Sequence, residues 1–221
     1  MNTEKREFQN LTELVFILDR SGSMSGLERD TIGGFNGMIE KQKKLDGDCL
    51  VSTVLFDHEQ TVLHDRIDLK AVAPMTDSDY CVRGSTALLD AVGGAIHHIG
   101  NIHKYIRKED VPSKTIFVIT TDGMENASHL YSVGQVRSMI ERQKAEYGWE
   151  FIFLGANIDA VESAGRIGIS PACSVNYYAD PQGTACVYEG ISENIANARA
   201  GRPRSRKWRQ HLDADFESRK P

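Results

Sequence analysis

Asp19, Ser21 and Ser23 stand at alternate positions in the stretch FILDRSGSMSG, Phe16 to Gly26. One carboxylate and two hydroxyls on a short loop are hard oxygen donors, the type that Mg²⁺ draws into an octahedral shell. They follow directly on the apolar run Leu14 to Leu18, and the carboxyl ends of buried strands are where open α/β sheets hold ligands. Ser25 continues the alternation, but it stands at capping-box spacing from Glu28 and is expected to open the next helix instead. Two further oxygen-bearing positions have a similar setting. Thr86, in RGSTALLDA, sits where a loop becomes a helix, and Asp122, in VITTDGMEN, sits at the end of another wholly apolar run.

The elements that must carry these residues are legible in the hydrophobic pattern. Continuous apolar runs at Leu14 to Leu18, Leu50 to Phe56, Thr115 to Thr120 and Phe151 to Leu154 read as strands covered on both faces, with weaker candidates at Thr61 to Ile67 and Cys173 to Tyr178. Helical spacing runs from Thr86 to about Lys108 through Leu89, Val92, Ile96, Ile99 and Ile106. A second helix spans Val133 to Tyr147, opened by Ser132 and Gln135 as a capping box. Alternating strands and helices specify an α/β fold, a mostly parallel sheet with helices on both faces. Leu50 to Phe56 and Thr61 to Ile67 are too close for a crossover helix and are expected to pair as an antiparallel edge hairpin.

The combination of Asp-x-Ser-x-Ser, a loop threonine before Ala-Leu and a strand-terminal Thr-Asp-Gly resembles the metal-ion-dependent adhesion site of von Willebrand factor type A domains. Order and spacing match from Leu14 to Asn126, and the strand and helix grammar extends the resemblance to Ala200. The resemblance implies a doubly wound, six-stranded, Rossmann-like sheet and a divalent ion at its carboxyl end, with Asp19, Ser21, Ser23, Thr86 and Asp122 as metal ligands. It implies Mg²⁺, with Mn²⁺ or Ca²⁺ as substitutes, and a protein partner whose Asp or Glu fills the open coordination position. Three of the five oxygens are neutral hydroxyls, weak donors that leave the ion electrophilic. The kind implied is the stand-alone intracellular bacterial one, which serves in multiprotein assemblies.

Other features compete for a role. A metal-dependent hydrolase is the alternative function, with His58 or Asp57 as base beside the same ion. Gly33, Gly34 and Gly37 follow a helical start and not a strand, which argues against a phosphate cradle. His97, His98 and His103 lack the spacing that would put two imidazoles on one metal. Asp77, Ser78 and Asp79 read as turn residues, and Glu125, Asn126 and Ser128 as residues that cap or shape a loop. No dinucleotide or Walker fingerprint is present.

Length and charge frame the rest. A chain of 221 residues, 40% hydrophobic, fits one globular domain, read here as 12–200 after a lead-in at 1–11. The first 200 residues carry 19 basic against 28 acidic side chains, a poor surface for a phosphate backbone. Residues 201–221 carry 7 basic and 3 acidic, and read as a basic, disordered tail with at most a weak nucleic-acid contact. The polar N-terminus, the absence of a long apolar run and four scattered cysteines point to a cytoplasmic protein away from membranes.

Overall fold

The computed structural model describes residues 11–156, 158–202 and 207–219, so most of the expected lead-in lies outside the described residues. Its centre is the strand β1 (Thr12–Asp19), with β2 (Cys49–Phe56) parallel on one side and β4 (Lys114–Thr121) parallel on the other. Beyond β4 lie β5 (Glu150–Ala156) and β6 (Ser174–Tyr177), both parallel, while β3 (Gln60–Asp68) pairs antiparallel with β2. The sheet order is β3-β2-β1-β4-β5-β6. This is the mostly parallel six-stranded sheet with an antiparallel edge that the sequence predicts.

Strand periodicity divides β1 between two cores. Leu14, Phe16 and Leu18 face α1 (Glu28–Lys43) and α5 (Pro181–Arg199), packing with Phe35, Met38, Val187 and Ile191. Val15 and Ile17 face the opposite way, toward α2 (Leu88–Tyr105), α3 (Val133–Tyr147) and α4 (Ala160–Arg166), with Val92, Ile96 and Ile140 in the same cluster. Both faces of the central strands are therefore dry, while the edge strand β3 is largely exposed. That explains why β1, β4 and β5 show no polar alternation.

Local expectations met mixed outcomes. The Ser132–Gln135 capping box forms as read, and α3 ends at Gly148 in the left-handed conformation. Ser25 does not cap α1: the N-cap position is Leu27, and the Glu28 carboxylate turns back onto the Gly26 N–H at 2.7 Å. A 3-10 turn at Gly22–Met24 intervenes and displaces the helix start. The second helix begins at Leu88 and not Thr86, because Thr86 is held in the loop by bonds described below. Gly34 is a packing glycine: a Cβ there would stand 2.2 Å from the Tyr188 ring on α5. No helix among the described residues is long and apolar enough to cross a membrane.

The tail read as disordered is corrected by α6 (Lys207–Ser218), which docks on α5 and β6. Trp208 and Leu212 are buried, Gly190 of α5 lies directly beneath Leu212, and Phe216 stacks on Tyr178 with ring centroids 4.8 Å apart. Three apolar side chains at four-residue spacing make one helical stripe, and the surrounding charges hid it. Arg219 reinforces the dock by donating to Asp180 at 2.6 Å and stacking over Tyr178. Residues 203–206 and 220–221 of the same tail lie outside the described residues. Trp208→Ala is expected to lower the unfolding free energy by about 3 kcal/mol, the usual cost of a large core aromatic. Urea denaturation measures it, and a tail that is dispensable for folding would leave the midpoint unchanged.

Candidate metal centre

The parallel register sets the ends of β1 and β4 side by side, with Leu18 opposite Thr120. Asp19 and Asp122 consequently emerge next to each other at the carboxyl edge, 1% and 4% exposed. All five predicted ligand residues meet there in one hydrogen-bonded cluster. Thr86 Oγ1 donates to Ser21 Oγ at 3.0 Å, Ser21 Oγ and Ser23 Oγ share a bond of 3.1 Å, and Ser23 Oγ donates to Asp122 Oδ1 at 2.6 Å. Asp19 Oδ1 accepts the Ser21 N–H at 2.7 Å.

Several observations test whether a divalent cation fits this set. Asp122 Oδ2 is buried and has no hydrogen-bond partner, an arrangement that is costly for a carboxylate unless a cation meets it. Burial pushes the Asp19 carboxyl above its ordinary range, against bonds from Thr121 and Ser21, and the nearby Asp122 charge adds to the rise. Burial likewise raises Asp122 against its bond from Ser23. The space above the hydroxyls is also kept clear: a Cβ on Gly123 would stand 2.7 Å from Thr86 Oγ1 and 3.2 Å from Ser23 Oγ. The donor set fits a hard divalent cation.

Residues that spacing did not reveal hold this cluster in place. Thr121 Oγ1 donates to Asp19 Oδ2 at 2.6 Å, and the Tyr80 hydroxyl donates to the Asp19 carbonyl. Thr86 is clamped reciprocally: its N–H donates to Asn126 Oδ1 at 2.9 Å and its carbonyl accepts the Asn126 N–H at 3.1 Å. The Glu125 carboxylate accepts N–H groups of Leu89, Ala127 and Ser128, and Asp90 accepts those of His129, Leu130 and Tyr131. Glu125, Asn126 and Ser128 do shape a loop, as read, and the loop they shape is stitched to the start of α2. Apart from the local bonds of Glu125 to Ala127 and Ser128, these pairings join residues 36 to 102 positions apart and leave no local signal.

Asp57 and His58 occupy a different station. The buried Asp57 carboxylate accepts from Arg20 Nε and Arg83 Nε, both at 2.9 Å, and from the Glu59 N–H at 2.8 Å. Burial alone would raise its pKa, but these bonds and the guanidinium charges outweigh it and hold the carboxyl below its usual range. His58 leans on the same carboxylate at 3.0 Å. Asp57 thus binds the Arg83 loop to the end of β1 and is not placed as a base. The three histidines of α2 are occupied elsewhere: His98 with Asp65 at 2.9 Å, His103 with the buried Glu13 at 2.5 Å, and His97 with Tyr131 at 3.4 Å. Asp79 closes a turn on Thr76, at 2.6 Å from its hydroxyl, as expected of a turn residue.

No protein-family model matches the sequence, and no curated protein matches it either. Solved structures do match in fold. The von Willebrand factor domain of the type V pili tip protein Mfa5 from Porphyromonas gingivalis superposes with a TM-score of 0.63 at 12% identity, over 88% of this chain and 97% of that one. The manganese-loaded TRAP protein of Plasmodium vivax gives 0.57 at 18% identity, over 80% and 72%. Proximal thread matrix protein 1 of the mussel byssus, with a zinc-occupied adhesion site, gives 0.57 at 14% identity, over 86% of this chain. This chain spans 47% of that mussel protein. The fold is that of the von Willebrand factor type A domains.

The raised carboxylates carry a stability consequence. A carboxyl whose folded pKa lies above its unfolded value adds stability at low pH, and that contribution is lost as pH rises through the folded pKa. At neutral pH in chelator, Asp122→Asn is therefore expected to melt above the parent by roughly 2–4 °C, the shift that about 1 kcal/mol gives in a domain of this size. The difference should shrink as the pH falls into the carboxylate range. Calorimetry across pH checks both statements, and a variant that melts below the parent at neutral pH would show that Asp122 is comfortable without a cation.

Proposed function

We propose that this chain is a metal-dependent protein-binding module in which Asp19, Ser21, Ser23, Thr86 and Asp122 hold a divalent ion and a partner's Asp or Glu completes its coordination. The carrying observation is the buried, unpartnered Oδ2 of Asp122 within a cluster of hydroxyls. The bound ion would supply a local positive charge and an open coordination position. The chain's own part is to fix the oxygens, through Thr121 on Asp19 and Asn126 on Thr86. The neighbouring structures with zinc or manganese support a divalent ion in general. We assign Mg²⁺ because the ligands are all oxygens, which suit hard cations.

Binding is favoured over hydrolysis by the state of Asp57. A metal-activated water needs a proton acceptor nearby, and Asp57 is committed to two guanidinium groups while His58 rests on Asp57. We place the module in the cytoplasm, as part of a multiprotein assembly. No disulfide joins Cys49, Cys81, Cys173 and Cys186 among the described residues, which supports a reducing compartment.

The test couples stability to capture. Mg²⁺ at roughly tenfold its dissociation constant is expected to stabilise the protein by about 1.4 kcal/mol, or roughly 3–6 °C. Asp19→Ala should erase the response and the chelator-sensitive capture of partners together. Capture that survives both chelator and Asp19→Ala would overturn the metal-bridged interface.

A further inference from the structure

We propose that the partner segment presents a single carboxylate with an apolar side chain beside it, and that Met124 receives that side chain. This deepens the metal-bridged reading above and rests on it. Met124 follows Gly123, whose backbone passes so close to Thr86 Oγ1 and Ser23 Oγ that no Cβ fits. The next residue, Glu125, turns its carboxylate inward onto the start of α2. Met124 is therefore an outward side chain of the β4–α3 loop, one residue beyond the backbone that lies against Thr86 and Ser23, and it is 70% exposed.

The opposite rim has a different chemistry. Gly22, Ser23, Ser25 and Gly26 on one loop, and Gly84 and Ser85 on another, are exposed and small or polar. Among the described residues of these three loops, the large exposed apolar side chains are Met124 and, 73% exposed, Leu130 of the same loop. A large exposed apolar side chain next to an anchoring point is a common form of binding hot spot. The flexible thioether suits aliphatic and aromatic neighbours alike.

Charge limits the partner to one carboxylate. Asp19, Asp122 and a divalent ion sum to neutrality, so the incoming carboxylate leaves the assembled centre with one negative charge. The first 200 residues already carry 28 acidic against 19 basic side chains. Further carboxylates in the partner would meet like charge without a second cation. An isolated Asp or Glu with an apolar neighbour satisfies both rims, and an acidic tract does not.

The experiment is a selection from a random peptide display library on the full chain in Mg²⁺, eluted with chelator. The expected pool is enriched in one Asp or Glu with an apolar residue adjacent, and depleted of acidic runs. On Met124→Ser the carboxylate enrichment should remain and the apolar preference should vanish. A representative selected peptide should bind that variant about tenfold more weakly, as the loss of roughly 1.4 kcal/mol of apolar burial gives. The Mg²⁺-induced melting shift should be unchanged in the variant. Carboxylate enrichment without an apolar preference, or a preference that survives Met124→Ser, overturns this inference and leaves the metal-bridged reading standing. An eluate with no carboxylate enrichment removes both. Light scattering in Mg²⁺ completes the test: a dimer that Met124→Ser dissolves would make a second copy the occupant and overturn the proposal.

Discussion

Two buried carboxylates, Asp19 and Asp122, are brought side by side at the carboxyl edge of the sheet, with no cationic side chain acting on either among the described residues. The one guanidinium nearest in sequence, that of Arg20, points away to Asp57 and Thr61 at 2.9 Å each. Burial of unpaired like charge is unfavourable, and neighbouring hydroxyls relieve it only in part. The fold tolerates this arrangement because β1 and β4 are central strands, paired on both edges and dry on both faces, so the strand ends cannot drift apart. A structure that holds its carboxylates in this way is preorganised for a cation.

The loops translate that rigidity into the positions of three hydroxyls. Ser21 and Ser23 are fixed by the 3-10 turn that follows β1, with the Gly22 N–H bonded to the Gly84 carbonyl at 3.1 Å. That same bond brings the Thr86 loop alongside. Asp57 acts on the other side of the loop: its side chain holds Arg83, and its carbonyl accepts the Ala87 N–H at 2.8 Å. Thr86 is thereby bracketed between two anchors, Asp57 behind it and Asn126 in front. The alternative reading of the sequence makes Asp57 or His58 a base; the two guanidinium groups on the Asp57 carboxylate give Asp57 a bracing role instead.

How much was legible follows from the range of each signal. The Asp19, Ser21 and Ser23 pattern is local, and Asp122 announces itself by ending an apolar strand, so these could be read directly. The strands and the edge hairpin followed from apolar runs and connection lengths. Thr121, Asn126, Asp90 and Tyr80 work through bonds across the fold, and their residue types alone are ordinary at strand ends and turns. The helix at Lys207–Ser218 was hidden for a compositional reason: Trp208, Leu212 and Phe216 form a stripe, but a basic segment averages it away. Ser25 failed as a cap because it closes the 3-10 turn Gly22–Met24, and α1 starts three residues later with Leu27 at its N-cap, which capping-box spacing cannot foresee.

The central claim is that these five oxygens converge on an ion, and anomalous diffraction from crystals soaked in Mn²⁺ tests it most directly. The account predicts one strong anomalous peak at the carboxyl ends of β1 and β4, within direct or water-bridged reach of Asp19, Ser21, Ser23, Thr86 and Asp122. The peak should disappear in Asp122→Ala crystals of the same form. Asp57, His58 and Glu59 bring ligand atoms within 4.8 Å of one another and serve as the internal control. A peak there, with none at the five-residue cluster, would contradict the account.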